Sequence, residues 1–195
     1  MLRTITFLIA LLACADSATA MGPLETLRSR DLQIRELLGE REEKPGAEED
    51  ARLRTLVGSI VDFEGHTRES FGIYWYELGE ADRREALRLV TILLERSLWD
   101  KVWKHRSDRI QYVSENIESA DPAKATVHSR ITRDEESWEV LYRMRLNGTQ
   151  WRIVDIMLQG VSSVERNRST FYKEIRRSGL PGLFEKLRKK AAGTP

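Results

Sequence analysis

Cysteine is almost absent from this sequence, because Cys14 is the single cysteine in 195 residues. It lies within the first 20 residues, so a chain cleaved after Ala20 would contain no thiol. Disulfide bonds, cysteine metal ligands and a thiol nucleophile are thereby excluded from such a mature chain. Its stability must come from an apolar core, and 41% hydrophobic residues over this length suffice for one domain.

The common signatures of catalytic and metal sites are missing as well. The sequence has no G-x-S-x-G, P-loop, G-x-G-x-x-G or H-E-x-x-H motif. His66, His105 and His128 are too far apart for a zinc or iron motif, so we predict no metal site and expect solvated structural histidines. A net charge of +1 gives no reason to expect nucleic-acid binding.

One long apolar run is present, and it lies at the start of the chain. Arg3, the apolar residues 5–13 and the Ala-Thr-Ala sequence at 18–20 have the pattern of an export signal cleaved after Ala20. We therefore predict a signal peptide over residues 1–20 and an exported domain over 21–195. Residues 11–14 (Leu-Leu-Ala-Cys) also resemble a bacterial lipobox, so a lipoprotein anchored at Cys14 is the alternative.

Helical periodicity dominates residues 23–105. The spacing predicts a helix from Pro23 to Gly39, an acidic loop over 40–50, and a second helix through residues 53–60. Asp62 is a candidate N-cap for a short segment ending near Phe71. The longest helix is predicted over 81–98, and after residue 161 two helices are predicted to meet at Gly179.

Strand-like patterns fill residues 109–158. Four strands are predicted over 110–117, 125–131, 138–146 and 150–158, with Asn147-Gly148 as a type I′ hairpin turn between the last two. Short loops between them indicate an antiparallel meander. The predicted fold class is α+β: a four-stranded curved antiparallel sheet (109–158) wrapped by about six to seven helices (23–105 and 161–191) in one domain.

The fourth strand is apolar on both faces, with Asp155 in its middle. One interpretation makes Asp155 the general base of a cup-shaped enzyme. The interpretation we favour is structural: a buried carboxylate needs a partner, and an arginine such as Arg168 would fasten the sheet to the following helix. Ser162 and Ser163 are better explained as helix caps than as nucleophiles.

Aromatic residues are well represented, with five Trp, five Tyr and five Phe. A strand apolar on both sides could serve a core on one face and a cavity on the other. An exported protein without catalytic groups is therefore a candidate carrier. The alternatives are the cup-shaped enzyme and a non-catalytic envelope adaptor whose core is filled.

From Val61 onwards the sequence resembles the MlaC (toluene-tolerance) family, the periplasmic phospholipid-binding components of a lipid-trafficking ABC system. The main pattern is an aromatic and Asn-Gly, then W-[KR]-[IV]-x-D, G-V-S and R-x-x-F. It is met by Tyr142, Asn147, Gly148, Trp151, Arg152, Ile153, Asp155, Gly160, Val161, Ser162, Arg168 and Phe171. An upstream D-F…G…W pattern is met by Asp62, Phe63, Gly72 and Trp75. His66, Thr67, Asn167 and the acidic loop depart from the family pattern.

The resemblance implies a sheet similar to the nuclear-transport-factor-like cup, with helices enclosing an apolar cavity for acyl chains. It implies no cofactor and no enzyme activity, and a periplasmic monomer that carries phospholipid between an inner-membrane ABC complex and an outer-membrane lipoprotein/porin complex, maintaining outer-membrane lipid asymmetry. A different lipid such as a hopanoid remains open. The residues then expected to contact lipid are Phe63, Phe71, Trp75, Val90, Leu94, Trp138, Tyr142, Met144, Ile153, Val161 and Phe171. Asp155, Arg168 and Gly160 are expected to be structural.

Overall fold

The computed structural model of the protein describes residues 21–39 and 43–193. The predicted signal peptide, its cleavage site and Cys14 lie outside the described residues, as do residues 40–42 of the acidic loop. Among the described helices, none is long and apolar enough to cross a membrane.

The fold is α+β, as predicted. The helices are α1 (Pro23–Leu38), α2 (Ala47–Ser59), α3 (Phe63–Phe71), α4 (Tyr74–Glu77), α5 (Glu80–Lys104) and α6 (Ser163–Ala191), and the strands are β1 (Arg109–Ile117), β2 (Lys124–Arg133), β3 (Glu136–Asn147), β4 (Gln150–Leu158) and β5 (Val161–Ser162). The strands form an open antiparallel sheet in the order β1-β2-β3-β4-β5. The fifth strand differs from the four-stranded prediction, which placed Val161 and Ser162 at the start of a helix.

Local sequence signals explain most helix boundaries. Pro23 occupies the first turn of α1, where its missing N–H costs nothing. Asp62 caps α3 by accepting a hydrogen bond from the Gly65 N–H at 2.8 Å. The acidic loop is shorter than predicted because α2 already begins at Ala47. Helix α5 runs to Lys104 rather than Leu98, since Trp99, in contact with Leu38 and Leu53, extends its apolar face.

Gly179 interrupts α6 where the sequence predicted an end. Its φ of 70° and ψ of 178° are not helical, so residues 163–178 and 180–191 are two straight segments with a sharp bend between them. Glu174 spans the bend: its carboxylate accepts hydrogen bonds from the Ser178 hydroxyl and from the Lys186 ammonium, both at 2.6 Å. The two segments are therefore joined by side chains as well as by the chain.

The hairpin between β3 and β4 turns one residue later than predicted. Asn147 pairs with Gln150 across the two strands, so the two central residues of the turn are Gly148 and Thr149. Gly148 has a φ of 62°, whereas Asn147 and Thr149 do not have positive φ. Glycine at the first central position is the requirement of a type II′ turn, so the predicted type I′ turn is wrong.

A bulge in β4 explains why that strand is apolar on both faces. Arg143 pairs with Asp155 and Met144 pairs with Ile153, which leaves Val154 as an extra residue. The free edge of β4 near Ile153 is occupied by the chain entering α3: the Ile153 N–H donates to the Ile60 carbonyl at 2.7 Å. Towards its end, β4 pairs with β5 instead.

Buried apolar residues form two main clusters. The helix core lies among α3–α6 and contains Phe71, Trp75, Leu78, Ala86, Leu89, Val90, Phe171, Leu183, Phe184 and Leu187. The sheet core lies between one face of the sheet, α1 and the segment before α3, and contains Leu27, Ile60, Val61, Ala125, Val127, Met144, Trp151 and Ile153.

Candidate functional site

The residues that the sequence suggested for lipid contact divide between these two cores. Phe71, Trp75, Val90, Leu94 and Phe171 belong to the helix core or pack against it. Four others belong to the sheet core or pack against it: Phe63, Tyr142, Met144 and Ile153. Trp138, half-buried opposite Ile131, is in neither cluster. Val161 is 57% exposed on β5. Most of these apolar side chains thus belong to two separate clusters.

The sheet core, like the helix core, is bordered by partly buried apolar side chains. Its buried members are surrounded by seven partly buried apolar side chains: Leu24, Phe63, Leu98, Tyr112, Tyr142, Leu146 and Ile156. Burial raises the pKa of the Tyr142 hydroxyl and of the Tyr112 hydroxyl beside it. Both phenols therefore stay neutral, and this face of the sheet carries no charge from them.

Helix α1 covers the sheet core and is attached by both polar and apolar contacts. At its start, the Leu24 N–H donates to a Glu115 carboxylate oxygen at 2.7 Å. Further along, Arg28 donates to the Tyr112 carbonyl at 3.3 Å, and Arg35 to the Asp108 carbonyl at 3.0 Å. Leu27 and the partly buried Leu24 pack in the sheet core. At the other end of α1, Leu38 is buried against Leu53 and Trp99.

Two pockets flank α2, which lies next to the sheet core. One has a volume of about 10 Å³ and is lined partly by Val57, Phe63 and Leu98. That is the space of about one water molecule. The other is a groove of about 410 Å³, open to solvent. It is lined by Arg30, Leu37, Arg52, Thr55, Leu56, Ser59 and Gln150.

Asp155 lies on the opposite side of β4 from the sheet core and connects the sheet to α6. Its carboxylate accepts hydrogen bonds from the hydroxyls of Ser162 and Ser163, both at 2.6 Å, and from the Val164 N–H at 3.0 Å. Arg143 approaches at 3.3 Å. Burial raises the pKa of Asp155, but the three hydrogen bonds and Arg143 outweigh burial, so its pKa is lowered.

The arginine beside Asp155 is therefore Arg143 and not Arg168. Arg168 instead donates to the Glu69 carbonyl at 2.6 and 2.9 Å, which ties α6 to the end of α3. Gly160, with a φ of 77°, lies in the tight connection between β4 and β5. Arg143 was missed because it lies on the neighbouring strand, where only the sheet register brings it opposite Asp155.

No group of three or more histidine, cysteine or acidic residues that could hold a metal ion occurs within residues 21–39 and 43–193. Asp155 is also a poor general base as it stands, because donors surround a carboxylate whose pKa is already lowered.

Comparison with protein families settles the assignment. The family model described as MlaC protein matches residues 32–189. The chain belongs to the MlaC family. A search of curated proteins found no match. Among solved structures, a phospholipid-binding protein from Ralstonia solanacearum, in complex with a phospholipid, has the same fold: TM-score 0.72, 19% identity, and coverage of 89% of this chain and 98% of the other.

Membership of the MlaC family confirms the resemblance and the absence of enzyme activity that it implied. The interpretation of Asp155 as a catalytic base is thereby withdrawn.

Two departures from the MlaC pattern contact each other. His66 is 3% exposed, so the expectation that it is solvated is wrong. Its Nδ1 lies 2.9 Å from the Val154 carbonyl oxygen and must donate, and its Nε2 lies 3.0 Å from the Asn167 amide nitrogen. Burial lowers the pKa of His66, which favours the neutral ring. His66 thus hydrogen-bonds through both of its ring nitrogens, one to β4 and one to Asn167, and this contact links α3, β4 and α6.

Proposed function

We propose that this MlaC-family protein is a periplasmic phospholipid carrier that holds acyl chains against the inner face of its sheet. The family match over residues 32–189 carries this proposal. The phospholipid complex of the Ralstonia protein, which has the same fold, supports it. In this proposal the domain spans residues 21–195, follows a cleaved signal peptide and acts as a monomer.

The sheet core is the better of the two cores for acyl chains. The helix core is closed by aromatic contacts, such as the Phe71 and Phe171 rings at 5.1 Å and the Phe71 and Trp75 rings at 6.2 Å. The sheet core is instead covered by the N-terminal half of α1, which two apolar side chains, Leu24 and Leu27, and the hydrogen bonds to Glu115 and Tyr112 hold in place. Of the residues that the sequence suggested for lipid contact, this proposal retains the four in the sheet core: Phe63, Tyr142, Met144 and Ile153.

The sheet core must open for cargo to enter, because its buried residues pack against one another and the pocket beside it has a volume of about 10 Å³. Each methylene removed from water contributes about 0.8 kcal/mol, so one sixteen-carbon acyl chain contributes about 12 kcal/mol. Separating α1 from the sheet loses a few hydrogen bonds, each worth about 1 kcal/mol net, and the packing of Leu24 and Leu27, which the acyl chain would replace. The balance favours a filled, open state over an empty one.

We further propose that the carrier exchanges phospholipid with an inner-membrane ABC complex and an outer-membrane lipoprotein/porin complex, and so maintains outer-membrane lipid asymmetry. Contact with either complex would have to move α1, since that helix covers the sheet core. Energy for directional transport would come from the ABC partner.

The experiment is to purify the chain from a bacterial host, extract bound lipid, and identify it by mass spectrometry. A photoactivatable phospholipid is then loaded and the labelled peptides are mapped. We expect copurified phospholipid, with labels on α1 and on β2–β4 facing the sheet core.

Residues of the helix core serve as the internal control because they are equally apolar. Labels confined to α5 and α6 would refute the assignment of acyl chains to the sheet core. Protein that carries no phospholipid and cannot be loaded with any would refute the carrier function. A hopanoid in the extract would change the identity of the cargo.

A further inference from the structure

The open groove between α1, α2 and the start of β4 has a distinctive composition. Of its seven lining residues two are arginines, none is acidic, and the others supply two leucines, two hydroxyls and one amide. Its volume of about 410 Å³ lies at the lower end of the range for small-molecule sites, about 300–1,000 Å³. The groove therefore combines positive charge, neutral hydrogen-bonding groups and an apolar floor.

The two arginines retain unused hydrogen-bonding capacity. Arg30 is half-buried and donates one hydrogen bond, to the Gln33 side chain at 2.9 Å. Arg52 is exposed and makes no hydrogen bond or ion pair with the residues the structure describes. A guanidinium carries five N–H donors in a planar fork that matches the oxygens of a phosphate.

The groove and the sheet core draw residues from the same three stretches of the chain. Leu27 precedes Arg30 by about one turn of α1, Ile60 follows Ser59 at the end of α2, and Trp151 follows Gln150 in β4. All three neighbours belong to the buried sheet core. A ligand in the groove would therefore sit at the rim of the region that we assign to acyl chains.

We propose that this groove binds the phosphate of the phospholipid headgroup, with Arg30 and Arg52 as its ligands. The proposal rests on the carrier function proposed above and adds a site to it. The phosphate lies between the two guanidinium groups. Thr55 and Ser59, whose hydroxyls already donate to backbone carbonyls, can accept hydrogen bonds from the polar remainder of the headgroup, as can Gln150. The acyl chains leave the groove past Leu27 and Trp151 into the sheet core.

The test compares Arg30→Gln/Arg52→Gln with a control, Lys173→Gln/Arg176→Gln. The control makes the same change in charge at two exposed positions of α6, away from the groove. The probes are a short-chain phosphatidylglycerol, the diacylglycerol with identical acyl chains, and water-soluble glycerol phosphate. Dissociation constants are measured by calorimetry, and thermal unfolding of each variant verifies that it is folded.

We expect the groove variant to bind phosphatidylglycerol about tenfold more weakly than the wild type, while its affinity for diacylglycerol is unchanged. The control variant should match the wild type with every probe. Arg30→Lys/Arg52→Lys should lose less affinity than the glutamine variant, because charge remains while the planar fork is lost. This second variant also provides a test if the glutamine variant unfolds.

Three outcomes would overturn the proposal in distinguishable ways. Equal affinity of the groove variant and the wild type for phosphatidylglycerol would exclude the groove as the phosphate site and leave the carrier function intact. Glycerol phosphate binding as tightly as phosphatidylglycerol, and losing affinity in the groove variant, would assign the groove to a free phosphate ester. If the wild type binds neither lipid, the carrier function itself fails.

Discussion

Replacing Asp155 by Asn should lower the stability of the domain considerably. The side chain is 1% exposed and accepts hydrogen bonds from Ser162, Ser163 and the Val164 N–H. Removing one member of a buried ion pair typically costs about 3–5 kcal/mol, mostly because the other charge is left without a partner. Here Arg143 keeps a second partner, Glu69 at 2.8 Å, so we expect about 3 kcal/mol.

That loss corresponds to a decrease in Tm of about 10 °C for a domain of this size. The measurement is thermal and urea unfolding followed by circular dichroism at pH 7. Asp82→Asn is the matched control, because Asp82 is exposed in the first turn of α5 and the chemical change is identical. The control should remain within about 0.5 kcal/mol of the wild type.

The pH dependence provides a second test of the same argument. The pKa of Asp155 is lowered in the folded state, relative to about 3.9 in the unfolded chain. Its contribution to stability is therefore fully present above the unfolded pKa and is lost as the pH falls through the folded pKa. The stability difference between wild type and Asp155→Asn should be constant above about pH 5 and shrink below it. A variant as stable as the wild type at neutral pH would refute the view that this carboxylate joins the sheet to α6.

Two further predictions concern contacts that hold α6. Glu174→Gln should lower Tm more than Glu185→Gln, because Lys186 and Ser178 lower the pKa of the buried Glu174 to about 2, whereas Glu185 is exposed. The advantage of Glu174 should be present above its ordinary pKa of 4.5 and disappear as the pH falls towards 2; equal melting temperatures at neutral pH would contradict this. The second prediction concerns the contact between His66 and Asn167. A double-mutant cycle of His66→Leu and Asn167→Leu, measured by urea unfolding, should give a coupling free energy of about 0.5–3 kcal/mol. If the effects of the two substitutions simply add, the contact contributes nothing to stability.

Sequence patterns predicted the elements of this fold well where the signal is local. Alternation marked β2 and β3, Asp62 marked the start of α3, and Gly179 marked the bend in α6. The errors occurred where pairing between distant segments decides the outcome. The turn after β3 moved by one residue, from Asn147-Gly148 to Gly148-Thr149, because the register of the hairpin is set by both strands.

The candidate site was harder to predict because its parts come from separate stretches of the chain. Composition indicated many apolar side chains, but no local pattern separates those of the sheet core from those of the helix core. Arg30 and Arg52 belong to ordinary amphipathic helices, and the groove exists only where α1 meets α2 and β4. His66 and Asn167 are 101 positions apart, so two departures from the family pattern could not be recognised as one contact.

The division of the interior into two cores means that the molecule can open in part. Aromatic packing and the Glu174 contacts hold the helix core together without any help from α1. Local opening free energies in proteins range from about zero up to that of global unfolding, and they follow such cooperative units. The N-terminal half of α1 around Leu27 can therefore open locally, while its C-terminal end stays packed through Leu38 against Leu53 of α2 and Trp99 of α5. In the carrier function that we propose, cargo exchange would then need only a local fluctuation of this segment, and the rest of the scaffold would stay folded.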